Sequence, residues 1–549
     1  MTGEPVTIGG YLIGRLQQLG IEHVFGVPGD YVLRFFDLLE RSALRVVNTC
    51  DEQGAGFAAD AYARIRGIGA VCITYGVGGL KVVNTTAQAY AEESPVVVIS
   101  GAPGVEERRK HPLLHHKARA FETQREVFDR ITAASAVLDD PGVACREIDR
   151  VLRVALIQKL PVYIELPRDR VLAEAPRPDS PLSLEAPAGD PDATRAAVAE
   201  VASLLSRAER PVILAGVEVQ RFGLQDHLER LVSASNIPVA TTLLGKSVIG
   251  ERHPSFIGLY QGGMGREDVR DYVESSDCIM MLGALQTDLD LGIFTARLDP
   301  HRTVHATRDR VAVGYHGYEN VRLADFIEGV AAAGLPRCAC DRPRPQPAFS
   351  DEVRSEGTVT VSNLFAHLAA FLTEETMVIA DPGDALFAAA DLPVHRRAEF
   401  MSSAYYASLG FAVPAALGAQ LAAPLQRPLV LVGDGAFQMT GMELSTIARY
   451  RLNPVVVVLN NGGYGTERPM LDGSFNDVLP WQYYRIPEVL GAGRGFLVET
   501  TVQLDAALEA ASAARDAVSL LDVQLAPDDR SPALKRLTAA LAASVRGSG

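Results

Sequence analysis

The sequence predicts an α/β protein of three domains, each a doubly wound parallel sheet. Three observations carry that reading: apolar runs that are continuous rather than alternating, two proline-rich breaks between them, and a length of 549 residues. A strand that is apolar at every position is covered on both faces, which is the signature of a parallel sheet flanked by helices. A chain this long exceeds what one core can hold and divides into units of ordinary domain size. The breaks at residues 173–192 and 335–350 place the boundaries. The expected domains are residues 1–175, 190–335 and 350–549.

In the first block the strands are expected at residues 44–50, 69–74, 95–100 and 161–166, with a helix over Gly54 to Arg64. The second block offers residues 211–215 and 278–282. The third offers residues 429–432, 454–459 and 517–523, with helical character from Met442 to Tyr450. Ligands of such sheets sit beyond the carboxyl ends of the strands, so residues just after these runs are the candidates for chemistry.

The strongest candidate is Gly433-Asp434-Gly435, followed after 24 residues by Asn460-Asn461. Each motif ends an apolar strand, so Asp434 and Asn461 should face one crevice. The glycines allow a sharp turn and a close approach to phosphate. A carboxylate, an amide oxygen and a loop carbonyl, here that of Gly463, with diphosphate oxygens and water, suit octahedral Mg²⁺. A lone Asp-Gly is turn chemistry. The spacing to the Asn pair makes the unit specific.

A second cluster begins with Asp51-Glu52 at a strand-to-helix junction, where an acid is also a common helix cap. Three of eleven histidines fall within His111-Pro112-Leu113-Leu114-His115-His116. Only His111 and His115 have metal-pair spacing, and Pro112 spoils the helix it needs. A surface loop is the ordinary reading of the paired histidines, and a proton relay the functional one.

Composition narrows the field. A formal charge of −15 with no basic block argues against nucleic acid as a partner. No run long and apolar enough for a membrane span and no secretory leader are seen, so a cytoplasmic protein is expected. The six cysteines are scattered, a reduced pattern. Cys338-Ala339-Cys340 lacks a second ligand pair for zinc.

The unit from Gly433 to Tyr464 resembles the cofactor motif of thiamine diphosphate enzymes. Residues 25–31, 51–64, 74–78, 114–116, 241–246 and 463–467 resemble the pyruvate and indolepyruvate decarboxylase branch of that family, across all three blocks. The resemblance implies three domains of the thiamine diphosphate enzyme type, with thiamine diphosphate and Mg²⁺ as cofactors. It implies a homodimer as the minimum active unit and a homotetramer as the expected assembly. Glu52 would hydrogen-bond the pyrimidine ring. Ala407, Ser408 and Leu409 would lie under the bend of the cofactor, with the Ala407 carbonyl on its amino group; the family usually has Gly at that position. Gly383, Asp384, Asp434, Gly435, Ala436, Asn461, Gly463 and Tyr464 would complete its site, with Asp434, Asn461 and Gly463 on the metal. Asp30, His115, His116 and Glu467 would handle the carboxylate and the proton.

The implied reaction is non-oxidative decarboxylation of a 2-oxo acid to an aldehyde and CO₂. A carboligase of acyloin or acetolactate type, and a catalytically silent homologue, are the other readings. Asp381-Pro382-Gly383 stands where the family usually reads Glu-Thr-Gly. Leu386, Thr466 and Met470, with Leu289 and Asp290 of the middle block, are the expected pocket walls. An aromatic or branched 2-oxo acid is expected over pyruvate. Asp290 offers a way to select a cationic or hydroxylated substrate, against the plainer reading of an exposed acid.

Overall fold

The computed structural model describes residues 6–179, 181–344, 349, 357–395 and 399–547, with side chains up to residue 539. Part of the second proline-rich break, at residues 345–348 and 350, lies outside them.

The N-terminal sheet is built from β2 (His23–Gly26), β3 (Arg45–Asn48), β4 (Gly69–Ile73), β5 (Val96–Ala102), β6 (Ala134–Val137) and β7 (Val162–Pro167). Its order is β3-β2-β4-β5-β7-β6, parallel throughout. A two-stranded antiparallel clip, β1 (Val6–Thr7) with β8 (Glu174–Ala175), ties the ends of this unit together. Residues of β4 and β5 are buried at every position, as their unbroken apolar sequences require.

The middle sheet contains β9 (Pro211–Ala215), β10 (Val239–Thr241), β11 (Phe256–Leu259), β12 (Cys278–Leu282), β13 (Thr303–Thr307), β14 (Arg310–Val313) and β15 (His316–Glu319). Its order is β11-β10-β9-β12-β13-β14-β15. The expectation of a purely parallel sheet needs correction here, since β14 pairs antiparallel with both neighbours. Burial alternates along β13 and β14, the period-two pattern of an edge with one wet face.

The C-terminal sheet comprises β16 (Thr376–Ala380), β17 (Phe400–Ser402), β18 (Arg427–Gly433), β19 (Val455–Asn460), β20 (Arg494–Val498) and β21 (Ser519–Gln524). The order β17-β16-β18-β19-β21-β20 is parallel throughout. The carboxyl ends of β16, β18 and β19 therefore lie side by side, as do those of β3, β2 and β4 in the first sheet.

The two outer sheets share one core. Helix Glu52–Arg66 packs on helix Ala412–Ala422, and alanines at 55, 58, 59, 412, 415, 416 and 419 are buried in the same cluster. Small residues let the axes approach closely: a β-carbon on Gly418 would lie 1.9 Å from the Ala58 carbonyl oxygen. The helix crossing fixes the first domain against the third within one chain.

One reading of the cysteines changes. Cys338 and Cys340 are disulfide-bonded to each other rather than both free. Cys72, Cys145 and Cys278 are free and buried, and Cys50 is free and exposed.

Candidate active site

The crevice at the ends of β18 and β19 has the expected geometry. Gly433 pairs with Leu459 in register, so Asp434 and Asn460-Asn461 leave the sheet together. The Asp434 carboxylate accepts Gly435 N–H at 2.7 Å and Gly462 N–H at 2.8 Å, which stitches the two strand ends to each other. Burial pushes this carboxyl up to about 6, against the pull of those N–H groups. Asn460 faces inward and donates to Asp522, so it is the structural member of the Asn pair. Asn461 Oδ1 accepts Gly463 N–H at 3.4 Å. Gly463 adopts φ 148° and lies against the Asn476 carbonyl, a placement that excludes any side chain. The Tyr464 ring lies over Gly435, and Ala436 is buried beneath. No atom lies within 4 Å of a β-carbon built on Gly433, so the strand end opens onto free space.

These residues fit a divalent cation and a diphosphate. A buried carboxylate with an adjacent amide oxygen and loop carbonyl is a hard-oxygen set, and a cation there would offset the cost of burying the charge.

The segment expected under the cofactor is braced from both outer domains. Asp381 at the end of β16 is fully buried and accepts Gly410 N–H and Ala412 N–H. Burial raises its carboxyl to about 7. From the first domain, Glu92 accepts Tyr405 N–H and Tyr406 N–H, and Asn84 donates to Ser408 at 2.7 Å. Thr440 donates to the Gly410 carbonyl. Leu409 is half-buried against the shared core, and Ala407 holds φ 56°, left-handed backbone that favours glycine. One oxygen of the Asp384 carboxylate accepts Ser531 N–H, which ties this helix start to the C-terminal segment. Gly383 holds φ 108° at the same strand end.

At the ends of β2, β3 and β4, the first domain assembles its own group. Asp30 Oδ2 lies 2.9 Å from His115 Nε2, and one ligand atom from each of Asp30, His115 and His116 falls within 4.8 Å of the others. Tyr31 stacks on His115 at 4.8 Å and donates to the His115 carbonyl. Gly76 gives the His116 backbone room to approach, since a β-carbon there would lie 2.2 Å from the His116 carbonyl oxygen. Two residues that the sequence reading passed over hold this group. Arg168 lies 3.4 Å from Asp30, pairs with Glu107, and covers the Tyr31 ring at 4.9 Å. Glu52, at the start of its helix, is bound by Lys81, also unforeseen.

Some expected members stand apart. Glu467 is exposed and outside the Asp30, His115 and His116 cluster, against the expectation of a buried acid. Leu386 is buried in the core of the third domain. Asp290 is buried and accepts Leu244 N–H, with its carboxyl raised to about 7 by burial, so its charge is spent inside the middle domain. Leu289 beside it is half-buried. Thr466 lies 4.0 Å from a β-carbon built on Gly383, and Met470 is 74 % exposed.

Comparison with known proteins agrees with this geometry. The chain matches the thiamine pyrophosphate enzyme family in three segments: the N-terminal TPP binding domain at residues 6–122, the central domain at 198–332 and the C-terminal TPP binding domain at 381–523. It is 36 % identical over 522 residues to an indole-3-pyruvate decarboxylase of Azospirillum brasilense, covering 94 % of each chain. An alpha-keto-acid decarboxylase of Mycobacterium avium is 36 % identical over 534 residues, covering 95 % of this chain and 94 % of its own. That of Mycobacterium leprae is 34 % identical over 542 residues, covering 97 % and 95 %.

Proposed function

Because this chain belongs to the thiamine pyrophosphate enzymes and is a thiamine diphosphate-dependent 2-oxo acid decarboxylase, we propose the roles of its residues, its metal, its assembly and its substrate class. Bound thiamine diphosphate supplies a carbon nucleophile for the ketone and a sink for the electron pair left when CO₂ departs. Asp434, Asn461 and the Gly463 carbonyl would hold Mg²⁺, which would supply positive charge for the diphosphate. The Leu409 segment would support the cofactor, and its bracing by Asp381, Glu92 and Asn84 holds that segment in place. Glu52 holds the pyrimidine nitrogen.

Asp30, His115 and His116 bind the substrate carboxylate region and move the proton that converts the decarboxylated product to aldehyde. The single observation that carries this reading is the 2.9 Å contact of His115 with Asp30, which orients one imidazole toward its neighbour. Glu467 joins them from a second subunit. Its exposure and its separation from the cluster within one chain support that arrangement. So do exposed Val77 and Leu80 near Glu52, and Met439 and Met442 after Asp434, an apolar surface that a second copy would cover. The substrate class is an aromatic or branched 2-oxo acid. The relative named for indole-3-pyruvate supports it, as does the absence of a bulky side chain at Gly383 and Gly465 next to Thr466.

The test is CO₂ and aldehyde release from a panel of 2-oxo acids, with thiamine diphosphate and Mg²⁺, for the wild type and Glu467→Gln. Stoichiometric aldehyde from an arylpyruvate, largely lost in the variant, is the expected result. CO₂ without matching aldehyde would replace protonation by carboligation.

A further inference from the structure

Glu52 already has a partner. Lys81, in the 3-10 turn Gly79–Val82, places Nζ 2.9 Å from Glu52 Oε2 and also pairs with Asp51 Oδ2. Asp51 is fixed in turn: it caps the helix by accepting Gln53 N–H at 2.8 Å, and its own N–H donates to Glu443. The other Glu52 oxygen lies 3.2 Å from a β-carbon built on Gly78, so the carboxylate sits between the turn and the helix start. The hydrogen bond to Asp51, then that to Glu52, raises the Lys81 ammonium above its ordinary value, so it remains charged at neutral pH.

The two carboxylates differ in exposure. Glu52 is 12 % exposed and Asp51 44 %, while Lys81 is 48 % exposed on a flexible four-carbon stem. Lys81 can therefore release Glu52 and keep Asp51 without losing its counter-charge. A ring nitrogen that binds Glu52 competes with the ammonium for the same anion.

We propose that Lys81 is a positioning residue of the pyrimidine subsite: it holds the Glu52 carboxylate in place before the cofactor arrives, and withdraws to Asp51 when the ring nitrogen binds. The inference rests on the reading of Glu52 as the pyrimidine partner. It makes the wild-type chain bind thiamine diphosphate less tightly than a chain without the ammonium. One partly exposed ion pair sets the scale at about two- to fivefold.

The experiment is calorimetric titration of the full-length protein with thiamine diphosphate at saturating Mg²⁺, for wild type, Lys81→Met and Lys81→Arg. It is repeated with an analogue carrying CH in place of the pyrimidine N1′. The expected result is binding about two- to fivefold tighter in Lys81→Met, wild-type affinity in Lys81→Arg, and no difference among the three with the analogue. Equal or weaker binding by Lys81→Met would overturn the inference while the reading of Glu52 stands. A gain of the same size with the analogue would also overturn it, because the effect would then be general charge rather than competition at N1′. Failure of all three folded proteins to bind thiamine diphosphate would remove the underlying reading and the inference together.

Discussion

Gly463→Ala tests whether the loop after β19 is built around the metal and diphosphate. A β-carbon at this position would lie 1.9 Å from the Asn476 carbonyl oxygen, which also accepts Tyr464 N–H at 2.9 Å. An ordinary contact needs about 1.5 Å more. The backbone φ of 148° adds strain of about 1–3 kcal/mol for any residue but glycine. Moving Asn476 aside forfeits the Tyr464 hydrogen bond, about 1 kcal/mol. The sum is about 3 kcal/mol, roughly a hundredfold in an equilibrium constant. Gly462→Ala is the control: φ is 79° and nothing lies within 4 Å, so the cost is about 1 kcal/mol, roughly fivefold. Equilibrium binding of thiamine diphosphate at saturating Mg²⁺ and urea unfolding without cofactor read the two places where that energy can appear. Gly463→Ala should lose far more than Gly462→Ala in their sum. Equal losses, or unchanged binding and stability in Gly463→Ala, would refute the reasoning.

Gly418→Ala drives a methyl into the Ala58 backbone at the crossing of the first and third domains, so it should destabilise the chain by at least 1–3 kcal/mol, measured by urea unfolding. Arg168→Gln removes the cation that pairs with Asp30 and Glu107 and covers Tyr31; steady-state kinetics should show kcat falling about tenfold with a smaller change in KM, and Arg168→Lys recovering part of it. Glu218 sits at the junction with the first domain, where burial, then the neighbouring Glu93 charge, pushes its carboxyl up to about 8 from an ordinary 4.5, against the Arg308 N–H and charge. The folded chain holds that proton more tightly than the unfolded one, so the contribution is full below about pH 4.5 and is lost as pH rises through 8. Urea midpoints between pH 5 and 8 should fall more steeply for wild type than for Glu218→Gln, and parallel curves would count against the assignment.

The parts of this protein that could be read from its sequence are those in which local pattern and tertiary role coincide. Residues 455–459 are apolar, four of them valine, because β19 is covered on both faces, and the same run delivers Asn461 to the crevice. The antiparallel edge of the middle sheet was equally available, since Thr303–Thr307 alternates, but a search for continuous runs passes over period-two strands. The burial of Asp290 escaped the sequence for another reason: its surroundings are made by segments distant in sequence, and nothing local separates a buried carboxylate held by Leu244 N–H from an exposed one.

The contacts of the two sites with long charged side chains lay beyond any such pattern. Arg168 meets Asp30 across 138 residues, and Lys81 meets Asp51 across 30. Each pairing exists only because parallel strands gather their carboxyl ends on one side of a sheet: Asp30 follows β2, Arg168 follows β7, Asp51 follows β3 and Lys81 follows β4. A sheet of this type therefore converts scattered charges into a site without a motif to announce them. Family motifs pick out Asp434 and Asn461 because the two leave adjacent strands in one βαβ unit. They leave out the long charged side chains that pair with the acids of the first domain, and in this chain those are Arg168 for Asp30 and Lys81 for Glu52.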